Sequence, residues 1–138
     1  MDDPQRVNLP DAGSVLAAMD PEVRVRVESL EIESTVTSTN DRVRRIPAGS
    51  GAVRCCVAGE QTAGRGRRGR SWDSRPGEGV YYSLATTLDQ PVPGFTSLAT
   101  AARIVDSLVE LGVDGLQLKW PNDILHDGRK LGGILIEQ

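Results

Sequence analysis

GEQTAGRGRRGRSW, residues 59–72, is the stretch on which the reading of this chain turns. Four arginines and three glycines fill the seven residues Gly64 to Arg70. Gly64-Arg65-Gly66-Arg67-Arg68-Gly69 fits GxGxxG, and Gly64 to Ser71 fits a phosphate-binding loop with Arg70 in place of lysine. Both patterns need a helix to open at their last glycine. Here Ser71-Trp72-Asp73-Ser74-Arg75-Pro76-Gly77 follows, which is turn chemistry. A dinucleotide fold and a P-loop are therefore set aside. Two readings stay open. One is an ordinary solvated basic loop. In the other, glycines between arginines let backbone N–H groups and guanidinium forks converge on one anion.

The rest of the composition frames that loop. The chain has 138 residues, 38% hydrophobic and 25% charged, an ordinary balance for one domain with a core. Its net charge of −3 argues against a general nucleic-acid binder, so the positive charge is local to a site. No run of apolar residues is long enough to span a membrane, and MDDPQRVNLP lacks the apolar core of a signal peptide. Cys55 and Cys56 are adjacent and point to opposite faces of a strand, so a disulfide between them is not expected. A reduced, cytoplasmic protein follows.

Along the chain, residues 1–13 read as a loose tail and Ser14 to Met19 as a short helix stopped by Asp20-Pro21. Val23, Val25 and Val27 alternate with charged residues, and Leu30 and Ile32 follow, which predicts a strand with one wet face. Ser38-Thr39-Asn40-Asp41 is rich in N-cap residues and predicts a helix start, broken by Pro47 to Gly51. Ala52 to Gln61 reads as a mostly buried strand and Val80 to Leu88 as another. Ser97 to Leu111 is the clearest helix. Leu98, Ala101, Ala102, Val105, Leu108 and Val109 share one face, Thr96 or Ser97 caps it, and Gly112 ends it. Leu116 to Trp120 predicts a short strand, His126 to Gly128 a turn, and Leu131 to Glu137 a last strand in which the chain stops.

The second informative stretch is Lys119-Trp120-Pro121-Asn122-Asp123, followed by Gly128-Arg129-Lys130-Leu131-Gly132-Gly133. Asn122 and Asp123 fall at a strand end behind Pro121, either as functional groups or as a plain turn. Lys130 opens the last strand beside two glycines that permit close backbone approach, or is an exposed strand-end lysine. His126 reads as a solvent-exposed turn residue, and Trp72 and Trp120 either as core, which the sequence alone favours, or as partners that stack on a ring.

Ser38-Thr39-Asn40, Glu60 to Trp72, Lys119 to Asp123 and Gly128 to Leu135 together resemble the catalytic domain of biotin protein ligases, over roughly residues 30–138. The resemblance implies an α+β fold: a mixed sheet with flanking helices, a class II synthetase-like core shared with lipoate ligases. It divides the chain into a tail or linker, 1–22, and the N-terminal portion of the catalytic domain, 23–138. It implies an enzyme that forms biotinyl-5′-AMP from biotin and ATP with Mg²⁺, then transfers biotin to a lysine of a biotin carboxyl carrier protein. Ser38, Thr39, Asn40 and Gln61 would bind biotin. Arg65, Gly66 and Arg67 would close over biotin and the adenylate. Arg67, Arg68, Arg70, Trp72, Asn122, Asp123 and Gly133 would serve the nucleotide. Lys130 would reach the biotin carboxylate and the α-phosphate, and Lys130 and Arg67 would be the catalytic pair, with no protein-held metal.

Family members also carry further sheet and a small β-barrel, and some an N-terminal winged helix that binds DNA. Neither is expected here, since the first 22 residues are too few for a winged helix. A homodimer stays open. The rival readings are a lipoate ligase or octanoyltransferase relative, and a non-catalytic fragment that binds biotin or needs a partner chain.

Overall fold

The computed structural model describes residues 8–46 and 52–138. The expected break at Pro47 to Gly51 lies outside them, as does the start of the tail. The chain divides into two compact units, one ending at Asp89 and one spanning Gln90–Gln138.

The first unit opens with α1, Ala12–Ala18, capped by Asp11, whose carboxylate accepts from the Ser14 N–H. Asp20 then caps a second short helix, α2, Pro21–Arg24, by accepting from the Glu22 N–H. This corrects the expected strand through Val23 and Val25. Asp-Pro is a strong start signal, with proline fixed at the first helical position, and it overrides the alternating valines. Strand β1 starts at Val27 and runs to Glu33.

A helix begins at the predicted capping run as α3, Thr39–Arg45. Strand β2 is Val53–Ala58 and β3 is Tyr81–Ala85, both shorter than predicted. They form the mixed sheet β1-β2-β3, parallel between β1 and β2 and antiparallel between β2 and β3. Register puts Glu31, Cys56 and Ser83 side by side on one face, and Leu30, Cys55 and Leu84 on the other. Helix α3 packs against β2 and β3 and buries Thr39 and Val43. Both cysteines are buried, free thiols. Burial, and then the nearby Glu31 carboxylate, raise Cys56 to about 11.

In the second unit, α4, Thr96–Glu110, packs against β4, Leu116–Lys119, and β5, Asp123–His126. Ala101 and Ile124 are buried at 0% and 4% exposure. The predicted stripe holds except at Val109, which is 53% exposed. Neither Thr96 nor Ser97 is the N-cap. Phe95 occupies that position, Thr96 is already helical, and the Ser97 hydroxyl donates to the Pro121 carbonyl. Gly112 ends the helix at φ +88°, a left-handed position that suits glycine.

Strand β5 was not foreseen, because Asn122-Asp123 was read only as a strand end or turn. It pairs antiparallel with β4 and with β6, Arg129–Gly133. Asp127 and Gly128 both have positive φ and close a two-residue hairpin between β5 and β6. The last strand thus begins before Leu131 and ends at Gly133, so the expected run to Glu137 is corrected. His126 is exposed, as expected. Trp120 is 79% exposed and Trp72 half-buried, so neither is the core residue that the sequence alone favours. Among the described residues no helix is long and apolar enough to cross a membrane.

Candidate functional site

The parallel pairing of β1 with β2 continues irregularly beyond both strands. Val36 N–H donates to the Glu60 carbonyl, Thr62 N–H to Val36 and Ala63 N–H to Thr37. That ladder sets the first turn of α3 beside Gln61. Gln61 Oε1 accepts from Thr39 N–H at 2.9 Å and from the Thr39 hydroxyl at 3.0 Å. Gln61 Nε2 donates to the Ser74 hydroxyl at 3.0 Å. Ser83, on β3, shares its proton between Thr39 Oγ1, at 2.7 Å, and Asn40 Oδ1. Ser38 is buried beside them at the N-cap, without a side-chain cap bond. Ser38, Thr39, Asn40 and Gln61, predicted as one set, are therefore brought together. The orientation of the Gln61 amide is fixed from both ends.

Ser74 and Ser83 were missed, though they are only 4% and 7% exposed. A signal existed for Ser83: it is the one aliphatic hydroxyl in the strand Tyr81-Tyr82-Ser83-Leu84-Ala85. Ser74 was hidden in turn-like composition. Gln61, Gly64, Trp72 and Ser74 help to line a recess of about 370 Å³.

The three glycines of the arginine loop have different reasons to be there. A Cβ on Gly64 would meet the Trp72 carbonyl oxygen at 2.6 Å and Ser74 Oγ at 2.8 Å, so no side chain fits. Gly69 has φ +71°, and Arg68 before it also lies in the left-handed region at φ 59°. Gly66 has only ordinary contacts, the nearest 3.6 Å away. The loop is a closed tongue: Arg65 bridges Ser71, Gly66 N–H donates to the Arg70 carbonyl, and Trp72 N–H to Gly64. Arg67, Arg68 and Arg70 are exposed at its tip. Arg65 differs from them. Its two terminal nitrogens donate to the two oxygens of Asp41, each at 2.8 Å. The Arg65 hydrogen bond holds the Asp41 carboxyl below the usual carboxylate value. Asp41 is a further residue that was not singled out.

The second unit brings together Asn122, Asp123, Lys130 and Gly133. Asp123 pairs with Gly133, and Lys130 Nζ lies 2.8 Å from Asp123 Oδ1. A bulge sets this up. The register shifts between Ile124 and Leu125, so Ile124 faces Gly132 while Leu125 faces Lys130, leaving Leu131 extra. Without the extra residue, Lys130 would fall on the opposite face from Asp123. Arg129, not Lys130, opens the strand. Asn122 Nδ2 donates to the Ile134 carbonyl and Ile134 N–H returns a bond to Asn122. Among the described residues no three His, Cys, Asp or Glu side chains gather into a group that could hold a metal ion.

Comparison with known proteins gives one answer. The Biotin/lipoate A/B protein ligase family matches residues 31–138. The bifunctional ligase/repressor BirA of Escherichia coli is 35% identical over 97% of this chain and 40% of its own length. The biotin–[acetyl-CoA-carboxylase] ligase of Mycobacterium tuberculosis is 38% identical over 78% of this chain and 44% of its own. Among solved structures, biotin protein ligase from Aquifex aeolicus in complex with biotin and ATP superposes with a TM-score of 0.68 at 32% identity. That match covers 80% of this chain and 47% of that one. The chain thus spans about two-fifths of the length of these curated relatives.

Proposed function

Because the chain belongs to the biotin/lipoate A/B protein ligase family, we propose that it takes part in biotin ligation, binding biotin and ATP, forming biotinyl-5′-AMP and passing biotin to a lysine of a biotin carboxyl carrier protein. The observation that carries this reading is the interlocked cluster of Gln61, Thr39, Asn40 and Ser83. Biotin's ureido ring presents two N–H donors and one carbonyl. It needs donors and acceptors in fixed alternation, and this cluster holds amide and hydroxyl groups in that state. Lipoate and octanoate carry no such polar ring and would offer these groups no hydrogen bond in return for the water that binding displaces.

In the first step a biotin carboxylate oxygen attacks the α-phosphorus of Mg–ATP. A phosphorus–oxygen bond forms, the bond to the β-phosphate bridge breaks, and pyrophosphate leaves. Two anions must be brought together. Lys130 supplies a compact charge to the carboxylate and α-phosphate, and Arg65 and Arg67 supply forked donors. Arg68, Arg70, Trp72, Asn122, Asp123 and Gly133 serve the nucleotide. The product is a mixed anhydride that water destroys, so the arginine tongue, with Gly66 able to approach closely, covers it. In the second step the acceptor lysine amine attacks the acyl carbon and AMP leaves.

Calorimetric titration with biotin and with lipoate tests the reading. Biotin should bind and lipoate should not. Equal binding of both, or of lipoate alone, would move the chain to the lipoate side of the family.

A further inference from the structure

Arg65 and Arg67 are neighbours in the arginine motif, yet the structure treats them differently. Arg67 lies at the exposed tip. Arg65 is fixed on several sides. Just before it, Gly64 packs so closely on the Trp72 carbonyl and Ser74 that an added Cβ would meet them at 2.6 and 2.8 Å. Its backbone bridges Ser71. Its guanidinium meets Asp41 end-on, with two bonds of 2.8 Å. Asp41 belongs to the first turn of α3, directly after Thr39 and Asn40. The two partners are 24 residues apart in sequence, so the pair ties the root of the tongue to the helix that carries the hydroxyl–amide cluster.

As a stabilising contact the pair is minor, because its side chains are 34% and 35% exposed and solvent screens them. What an end-on fork supplies is direction. A guanidinium is planar and its five N–H donors are in fixed positions, so binding one carboxylate sets the plane in which the remaining donors are presented. An aspartate reaching from α3 therefore sets the orientation of Arg65 before any ligand arrives.

We propose that Asp41 is a positioning residue for the biotin site: it holds Arg65 as part of the site's fixed wall, so that the moving part of the tongue begins after Arg65. This rests on the biotin reading above, and its test has one arm that does not.

The experiment compares wild-type protein with Asp41→Asn and Asp41→Glu in two measurements. The first, without ligand, is the rate of tryptic cleavage after Arg65 and after Arg67. Asp41→Asn should speed cleavage after Arg65 several-fold and leave that after Arg67 nearly unchanged. The second is the biotin dissociation constant. Asp41→Asn should weaken binding roughly tenfold, the size expected for a lost charge-assisted fork, and Asp41→Glu should recover part of it. Adding Arg65→Gln to Asp41→Asn should cause little further loss, whereas a merely structural Asp41 would give additive losses. Wild-type cleavage after Arg65 together with wild-type or tighter biotin binding in Asp41→Asn would overturn the proposal. If wild-type protein binds no biotin, the functional reading fails, and the cleavage arm still decides whether Asp41 holds Arg65.

Discussion

Around Gln61 the polar groups answer one another out of water, with Thr39, Ser74 and Ser83 at most 7% exposed. Around Lys130 the partners stand closer to solvent: Lys130 is 44% exposed and Asp123 21%. On the proposed function, the two regions do different work. A neutral, polar ligand head is recognised by donors and acceptors that must already be in place, because each buried group left unpaired costs about 1–3 kcal/mol. A cation that attends a transferring phosphoryl group must change partners during the reaction. It is held by a partly exposed ion pair, which is worth little to the fold. Substitutions in the first region should therefore damage stability and binding together, and those in the second should damage rate alone.

The largest expected effect is on rate. Lys130→Ala should slow adenylate formation a hundredfold or more, about 3 kcal/mol of lost transition-state stabilisation. Denaturant unfolding should move by no more than about 0.5 kcal/mol. Lys130→Arg should not restore the rate, since a fork does not reproduce a point charge. A large loss of stability in Lys130→Ala would erase the contrast between the regions.

Thr39→Val is the converse. It keeps the shape and removes the hydroxyl that serves Gln61 and Ser83. Unfolding free energy should fall by about 1–3 kcal/mol and biotin affinity should fall with it. Unchanged stability with weakened biotin binding would show that the cluster is held by its packing, not by its hydrogen bonds.

Arg67→Gly acts between these extremes. Removing an exposed fork from the tip should leave the fold untouched and let biotinyl-AMP escape several-fold faster, seen as nonspecific labelling of added lysine-rich protein. If no adenylate forms while biotin still binds, Arg67 belongs to the chemistry and not to the cover.

The smallest effect is on acid titration. Asp41 has a folded pKa below its ordinary value of 3.8 because Arg65 bonds it. The pair's contribution is therefore complete above about pH 4 and is lost as pH falls through the lowered value. The NMR signal of the Arg65 guanidinium should hold steady from pH 7 to 4 and shift only below that. A shift centred at neutral pH would assign the signal to another group.

Much of this was legible in the sequence because it rests on local chemistry. The capping run at Ser38 to Asp41, the apolar stripe of α4 and the glycine after it follow from backbone rules, and the motif spacing carried the family. The failures share a cause. Val23 and Val25 alternate like a strand, but Asp20-Pro21 imposes a helix start whose strength is not visible in periodicity. Strand β5 is only Asp123–His126, too short for a hydrophobic pattern, although the Asp127-Gly128 dipeptide after it is a hairpin signal. The Asp41–Arg65 fork and the Ser83 bridge span 24 and 44 residues, and no local rule reaches across such separations. The bulge at Leu131 that decides which way Lys130 faces is likewise a matter of pairing, not of composition.

If this chain joins biotin to AMP as proposed, a single-turnover reaction with biotin and ATP labelled at the α-phosphate will reveal it. The product should be a labelled, hydroxylamine-sensitive biotinyl-AMP that stays with the protein and appears only when both substrates are present. Saturating biotin and Mg–ATP that yield no labelled adenylate would rule out adenylate formation by this chain.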